Sequence, residues 1–282
     1  MVVFPNAKIN LGLHVVDKRS DGYHQIETVF YPVGLSDILE VTAAPDGSPE
    51  PLLFKQTGLG IGVPPEENTC VKAYRLLQQA YPLPAVAIHL HKIIPGGSGL
   101  GGGSADGTYT LKLLNQMFQM GIDKYRLASF ALQLGSDCPF FIFNEPMLAM
   151  GRGELLKPID MSLDKYYLMV VIPGIQISTR WAYQQVTPEK PRIPLEELII
   201  APVYNWKGLV VNQFEDPLCR LHPEIGIIRD TLYEHEAVYA SMSGSGSAVF
   251  GLFNNKPGNI PQFSNYFTWT EKLRSIKKKP VL

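Results

Sequence analysis

Surplus charge of either sign is scarce: 25 Lys and Arg stand against 26 Asp and Glu, a formal net charge of -1 over 282 residues. Without a basic surplus, attraction to nucleic acid through bulk electrostatics is excluded as the organising property. Cysteine is sparse as well. Cys70, Cys138 and Cys219 are widely spaced and odd in number, which fits a reducing compartment better than a disulfide framework. Long apolar runs are missing: residues 166–172 are closed by Pro173-Gly174 and are too short to span a bilayer. The start, Met1-Val2-Val3-Phe4-Pro5-Asn6-Ala7-Lys8, has no basic region leading into an apolar stretch, so no secretory leader is expected and the cytoplasm is the expected location. Six histidines and three cysteines form neither H-E-x-x-H nor paired C-x-x-C, so no Cys/His metal site is expected. The basic tail Lys277-Lys278-Lys279 reads as a solvated chain end.

What is present suits a globular protein with a substantial core: 45% hydrophobic and 18% charged residues. Residues 26–31 and 37–42 read as strands. Asn68 or Thr69 caps a helix through Tyr74, Leu76 and Leu77. Val86, Ile88 and Leu90 alternate with Ala87, His89 and His91, the period of a half-buried strand. Helices are expected over 105–118, from an Asp123 N-cap to a terminating Gly135, and over 223–235. Strands are expected at 140–143, 167–172, 237–242 and 248–253, with a turn at Ser243-Gly244-Ser245-Gly246-Ser247. Residues 187–197 look like an exposed connection, and a division falls near 150–160.

Pro95-Gly96-Gly97-Ser98-Gly99-Leu100-Gly101-Gly102-Gly103-Ser104 lies between a strand and a helix. Glycine lets backbone N–H groups converge on an anion, and the helix start adds its unpaired amides and positive dipole end. The run thus reads as a phosphate-binding loop, with the Ser104 hydroxyl placed to reach a phosphate-bound Mg²⁺. Residues 97–102 satisfy G-x-G-x-x-G, yet no acidic residue ends a second strand about 20 residues later, as the dinucleotide fold requires. The loop lacks the lysine of a P-loop and the G-x-S-x-G of a hydrolase elbow. A flexible linker is the bland alternative.

Pro5-Asn6-Ala7-Lys8-Ile9-Asn10-Leu11, the glycine run and Ser243-Gly244-Ser245-Gly246-Ser247-Ala248-Val249-Phe250 occur in the order of the motifs of the GHMP kinase superfamily, which the sequence resembles. It is most similar to the branch acting on a cytidine diphosphate-linked polyol. The marks are Lys8-Ile9-Asn10-Leu11, Asp21-Gly22-Tyr23-His24, Glu67-Asn68-Thr69, residues 99–104, Leu134-Gly135-Ser136-Asp137-Cys138-Pro139 and Gly151-Arg152-Gly153-Glu154. The resemblance implies an α+β GHMP kinase fold. Residues 1–155 would form an ATP-binding domain like the second domain of ribosomal protein S5, and residues 156–282 a ferredoxin-like C-terminal domain. It implies ATP-dependent phosphorylation of the 2-hydroxyl of 4-diphosphocytidyl-2-C-methyl-D-erythritol, in the non-mevalonate isoprenoid precursor pathway. The cofactors would be ATP and Mg²⁺, and the partners small molecules, with no nucleic acid and no membrane.

Within that expectation, Asp137 is the candidate base, since phosphoryl transfer needs a group to take the hydroxyl proton. An aspartate ahead of a strand is otherwise a turn former. Lys8, in an apolar segment where a lone ammonium is costly, is expected to pair with Asp137 and orient the hydroxyl; the alternative is an exposed lysine on an edge strand. Tyr23 and His24 are assigned to base recognition by stacking and hydrogen bonding, against the alternative of a turn with a packing aromatic. By resemblance, Tyr183 closes the other face of the base, Asn10 and Thr179 contact polar parts of the substrate, and Asn68 and Lys92 line the adenine or ribose. A homoserine or mevalonate kinase of the same superfamily and a non-catalytic nucleotide binder are the rival functions.

Overall fold

A computed structural model describes residues 1–48, 50–60 and 62–275; the Lys277-Lys278-Lys279 tail lies outside the described residues. In chain order the elements are β1 (Val2–Val3), β2 (Asn6–Lys18), β3 (His24–Ser36), β4 (Ile38–Ala43), β5 (Leu52–Gly58), α1 (Thr69–Ala80), β6 (Val86–Lys92), α2 (Gly102–Met117), α3 (Lys124–Leu134) and α4 (Cys138–Phe143). There follow β7 (Met147–Gly151), β8 (Leu155–Pro158), β9 (Tyr167–Ile172), α5 (Thr179–Gln184), α6 (Leu195–Ile199), α7 (Glu215–Leu221), α8 (Pro223–Glu234), β10 (Tyr239–Met242), β11 (Val249–Phe253) and β12 (Phe267–Lys272). They form two compact units, neither of them one continuous run of chain. The first holds Met1–Lys8, Leu35–Gly96 and Gly101–Asn144; the second holds Ile9–Gly34, Gly97–Leu100 and the described residues from Glu145 onward.

The first unit is built on a sheet ordered β1-β4-β6-β5, in which β6 runs antiparallel to β4 and parallel to β5. Val86, Ile88, Leu90 and Lys92 of β6 are buried while the alternate residues are half-exposed, the two-residue period read from the sequence. Leu39, Val41, Ile88 and Leu90 join Tyr74 and Leu77 of α1, Leu111 and Leu114 of α2, and Leu127 and Phe130 of α3 in one core. Asn68 caps α1 by accepting from the Cys70 amide at 2.9 Å, and Asp123 caps α3 by accepting from Tyr125 and Arg126.

Three local expectations change. Residues 140–143 are not a strand: they lie in α4, with Pro139 in its first turn and Phe140 and Phe141 buried. A short apolar run carries no period that separates a buried strand from a buried helix turn. Asp137 consequently precedes a helix. Gly135 ends α3 in an extended conformation, φ 168°, instead of the left-handed one. Helix α2 begins at Gly102, three residues before the expected start, because Gly101 at φ 72° turns the chain directly into it.

The second unit carries two sheets, ordered β2-β3-β7-β8 and β10-β11-β9-β12. The latter is antiparallel throughout, with β9 between β11 and β12. Leu13, Val15 and Ile26 pack with Met169 and Val171 of β9, Leu218 of α7, and Ile225, Ile228 and Leu232 of α8. The strand expected at 167–172 is β9 and the helix at 223–235 is α8, while the expected connection over 187–197 contains the start of α6. Strand β2 is long and buried over most of its length, so it lacks the alternation that reveals half-buried strands. Among the described residues, no helix is long and apolar enough to cross a membrane.

Candidate active site

In the first unit, Lys8 and Asp137 meet. The Lys8 ammonium is 3.4 Å from Asp137 Oδ2, with the lysine 3% exposed and the aspartate 34%. Burial pushes the Lys8 ammonium below its ordinary pKa, and the Asp137 carboxylate opposes that shift. An exposed lysine on an edge strand is therefore not what the fold contains. Gly101 lies against this pair: a Cβ there would sit 3.2 Å from Cε and Cγ of Lys8 and 3.0 Å from the Phe141 ring. The glycine leaves room for the lysine stem and supplies the left-handed turn into α2.

The first intrahelical bond of α2 runs from the Ala105 amide to the Gly101 carbonyl at 2.9 Å, and no side chain caps the helix. The amides of Gly102, Gly103 and Ser104 precede that bond and stand at the positive end of a 16-residue helix, the arrangement that binds phosphate. Ser104 is half-buried, with its hydroxyl in hydrogen-bonding reach of the Cys138 thiol. Asn68 is buried and spends its side chain on the α1 cap.

Lys92 is held internally. Its ammonium pairs with Asp37 Oδ2 at 2.5 Å and Asp106 Oδ2 at 2.7 Å, all three side chains being at most 2% exposed. Burial, reinforced by Asp37, pushes the Asp106 carboxyl up to about 7 despite Lys92. An unfolded aspartate releases its proton near pH ~3.9. Between those values the folded chain binds the extra proton, so this group's stabilisation falls as pH rises from about 4 to about 7. Urea titrations at pH 5 and pH 7.5 should show that loss in the wild type and a smaller one in Asp106→Asn. An equal loss in both contradicts the assignment.

In the second unit, Gly97–Leu100 meets the turn at residues 243–247. The Ala248 amide donates to the Ser98 carbonyl at 3.0 Å, and the Ser243 hydroxyl donates to the Gly99 carbonyl at 3.1 Å. Gly99 has φ 80°, and a Cβ there would overlap the Ser243 carbonyl oxygen. Asn10 is 2% exposed; its amide N–H donates to Ser243 Oγ at 3.1 Å and its side chain donates to Thr28 Oγ1 at 2.9 Å. Asn212 fixes the other side of the turn, donating to the carbonyls of Met242 and Gly244 at 2.8 Å each. Glu215 accepts from the Met242 amide at 2.6 Å and the Ser241 hydroxyl at 3.0 Å.

The aromatic residues lie in this unit too. Tyr23 is 56% exposed, with the Arg152 guanidinium 4.8 Å from its ring centroid. His24 stacks on Tyr183 at 4.8 Å and 12°, and Thr179 hydrogen-bonds Ser245 at 3.0 Å. Burial and Lys18 lower the His24 pKa, which favours the neutral ring and leaves one nitrogen as acceptor.

Comparison with known proteins settles the family. The GHMP kinases N terminal domain matches residues 68–145 and the GHMP kinases C terminal domain residues 204–261. A Parabacteroides distasonis protein named 4-diphosphocytidyl-2-C-methyl-D-erythritol kinase is 48% identical, over 97% of this chain and 100% of its own length. This chain belongs to the 4-diphosphocytidyl-2-C-methyl-D-erythritol kinase family. A crystal structure of a 4-(cytidine 5'-diphospho)-2C-methyl-D-erythritol kinase matches this kinase with TM-score 0.77 and 32% identity, covering 96% of this chain and 98% of that one. A Methanococcus jannaschii mevalonate kinase shares the fold, with TM-score 0.71 at 13% identity over 98% of each chain. The α+β GHMP kinase architecture expected from the motifs is the one present.

Of the residues singled out from the sequence, the structure pairs Lys8 with Asp137, sets Gly101, Gly102, Gly103 and Ser104 at the start of α2, and stacks His24 on Tyr183. Pro95 and Gly96 belong to the first unit with them, and Gly97, Ser98, Gly99 and Leu100 to the second. Sequence reasoning missed Asp37, Asp106, Asn212 and Glu215. Asp106 carried one usable signal: a carboxylate set among the small residues Ala105 and Gly107 of a helix start.

Proposed function

We propose that this kinase transfers the γ-phosphoryl group of ATP to the 2-hydroxyl of 4-diphosphocytidyl-2-C-methyl-D-erythritol. The pairing of buried Lys8 with half-exposed Asp137 carries the reading, because a nucleotide binder without catalysis has no use for it. Asp137 accepts the proton of the 2-hydroxyl as its oxygen attacks the γ-phosphorus, and the β–γ bridging oxygen leaves with ADP. Lys8 orients Asp137 and balances charge beside the reacting oxygens. The amides of Gly102, Gly103 and Ser104, with the glycines from Gly96 to Gly101, hold the triphosphate. Asn68 serves the adenosine side. Tyr23 and Tyr183 stack on cytosine, His24 hydrogen-bonds its edge, and Asn10 and Thr179 serve the polar part of the acceptor.

Mg²⁺ would be held mainly by phosphates and water, as the donor set fits: the half-buried Ser104 hydroxyl is a hard oxygen ligand at the phosphate end of α2. When bound it neutralises the phosphate oxygens. No group of three His, Cys, Asp or Glu side chains among the described residues competes with that arrangement.

ADP release measured with Mg-ATP and each acceptor in turn tests the reaction. Turnover with the cytidine compound is expected; turnover with homoserine or mevalonate in its place overturns it. Tyr23→Ala should raise KM for the cytidine compound about tenfold, from the loss of one base-stacking contact, with KM for ATP unchanged. An unchanged acceptor KM removes Tyr23 from the site.

A further inference from the structure

We propose that Lys92, Asp37 and Asp106 are positioning residues for nucleotide binding: their buried ion triad ties the end of β6 to the first turns of α2 and so sets the amides of Gly102, Gly103 and Ser104 that receive phosphate. The inference deepens the ATP-binding reading and rests on it. Asp37 holds the strand end. Its Oδ1 accepts from the amides of Ile93 at 2.6 Å and Ile94 at 2.8 Å, its Oδ2 from Lys92, and its own amide donates to the Pro5 carbonyl at 2.9 Å. Lys92 then reaches from the same strand end to Asp106 in α2 at 2.7 Å. Ile94 and Asp106 flank the glycine run from Pro95 to Ser104 in sequence, so the ion pairs close that run at its base. Gly102 sits on the triad: a Cβ there would lie 3.0 Å from Ile94 and 3.3 Å from Lys92 Nζ.

Stability alone does not account for this cluster, since well-packed apolar residues usually serve a core as well as buried ions do or better. Ionic contacts supply direction. Two carboxylates and an ammonium with several fixed partners admit few arrangements, whereas apolar side chains would let the glycine run drift. The triad also has a charge surplus, two carboxylates against one ammonium, and Asp106 Oδ1 is buried without a hydrogen-bond partner. Besides Lys92 and Asp37, the titratable group facing Asp106 is the Cys70 thiol of α1, which burial and Asp106 keep protonated. Removing the Asp106 carboxylate therefore leaves Lys92 with Asp37 alone and α2 without its tie to the end of β6.

Calorimetric titration of the full chain with a non-hydrolysable ATP analogue and Mg²⁺, and separately with cytidine diphosphate, tests the proposal. Asp106→Ala should weaken the ATP analogue at least tenfold and change cytidine diphosphate less than twofold. Asp106→Asn, which keeps a polar partner for Lys92 at the same place, should bind the analogue within about threefold of the wild type. Wild-type affinity for the analogue in folded Asp106→Ala overturns the proposal. If that variant does not fold, Lys92→Met combined with Asp106→Leu decides: a folded double variant, its ionic tie replaced by apolar packing, that binds the analogue as the wild type does overturns it. Failure of the wild type itself to bind the analogue would instead overturn the ATP-binding reading.

Discussion

Asp137→Asn is expected to lower kcat about 10²- to 10⁴-fold, the usual worth of a positioned base, while KM for ATP stays within about twofold, as for a group that acts only in the transition state. The amide has the size of the carboxylate and still faces Lys8, but it takes no proton. Asparagine also leaves the Lys8 ammonium, 3% exposed, without the negative charge that opposes its burial. That ammonium then loses its proton more readily, which removes the second charge from the site. Steady-state kinetics with Mg-ATP and the cytidine compound check both effects. A kcat within threefold of wild type in the folded variant contradicts the role of Asp137.

The second large effect is at Gly99. Gly99→Ala meets two penalties at once: a left-handed backbone, costing about 1–2 kcal/mol for a residue with a Cβ, and overlap with a backbone oxygen that has no rotamer to move to. The Ser243 carbonyl it would strike is fixed by the turn bond from the Gly246 amide at 3.0 Å. The segment from Gly97 to Leu100 must therefore leave its place, with a large rise in KM for ATP and a lower melting temperature. Gly97→Ala is the matched control. Gly97 has φ 67° and nothing within 4 Å of a Cβ, so it meets only the backbone penalty. Thermal melts and ATP kinetics on the two variants should separate them clearly. Equal effects would mean that the contact with Ser243 does not hold the loop.

How much of this was legible in the sequence depended on whether a residue acts locally. The phosphate loop and the caps at Asn68 and Asp123 were readable because glycine and capping chemistry act within a few positions. The strand at Val86–Lys92 was readable from its strict alternation. Strand β2 was not, since burial of both kinds of position erases the two-residue signal. The Phe140–Phe141 segment was misread because four apolar residues contain barely one helical turn.

The same distinction runs through the site. Lys8 pointed to a partner because an ammonium among apolar residues needs one, and Asp137, 129 positions away, could be matched to it only through the family motifs. Lys92 looked like a ligand contact. Its buried position between Asp37 and Asp106 follows from pairings 55 and 14 residues apart that no local pattern encodes. Asn212 and Glu215, which hold the turn at Ser243, were invisible for that reason as well.

Phosphorus NMR of the product tests the central claim most directly. Carbon 2 of the polyol bears the methyl group and no hydrogen, so phosphate placed on its hydroxyl gives a monoester resonance without splitting by a neighbouring C–H proton. This kinase, given Mg-ATP and 4-diphosphocytidyl-2-C-methyl-D-erythritol, should produce that unsplit resonance in step with ADP. A split monoester resonance, or ADP without any new monoester, would contradict the account.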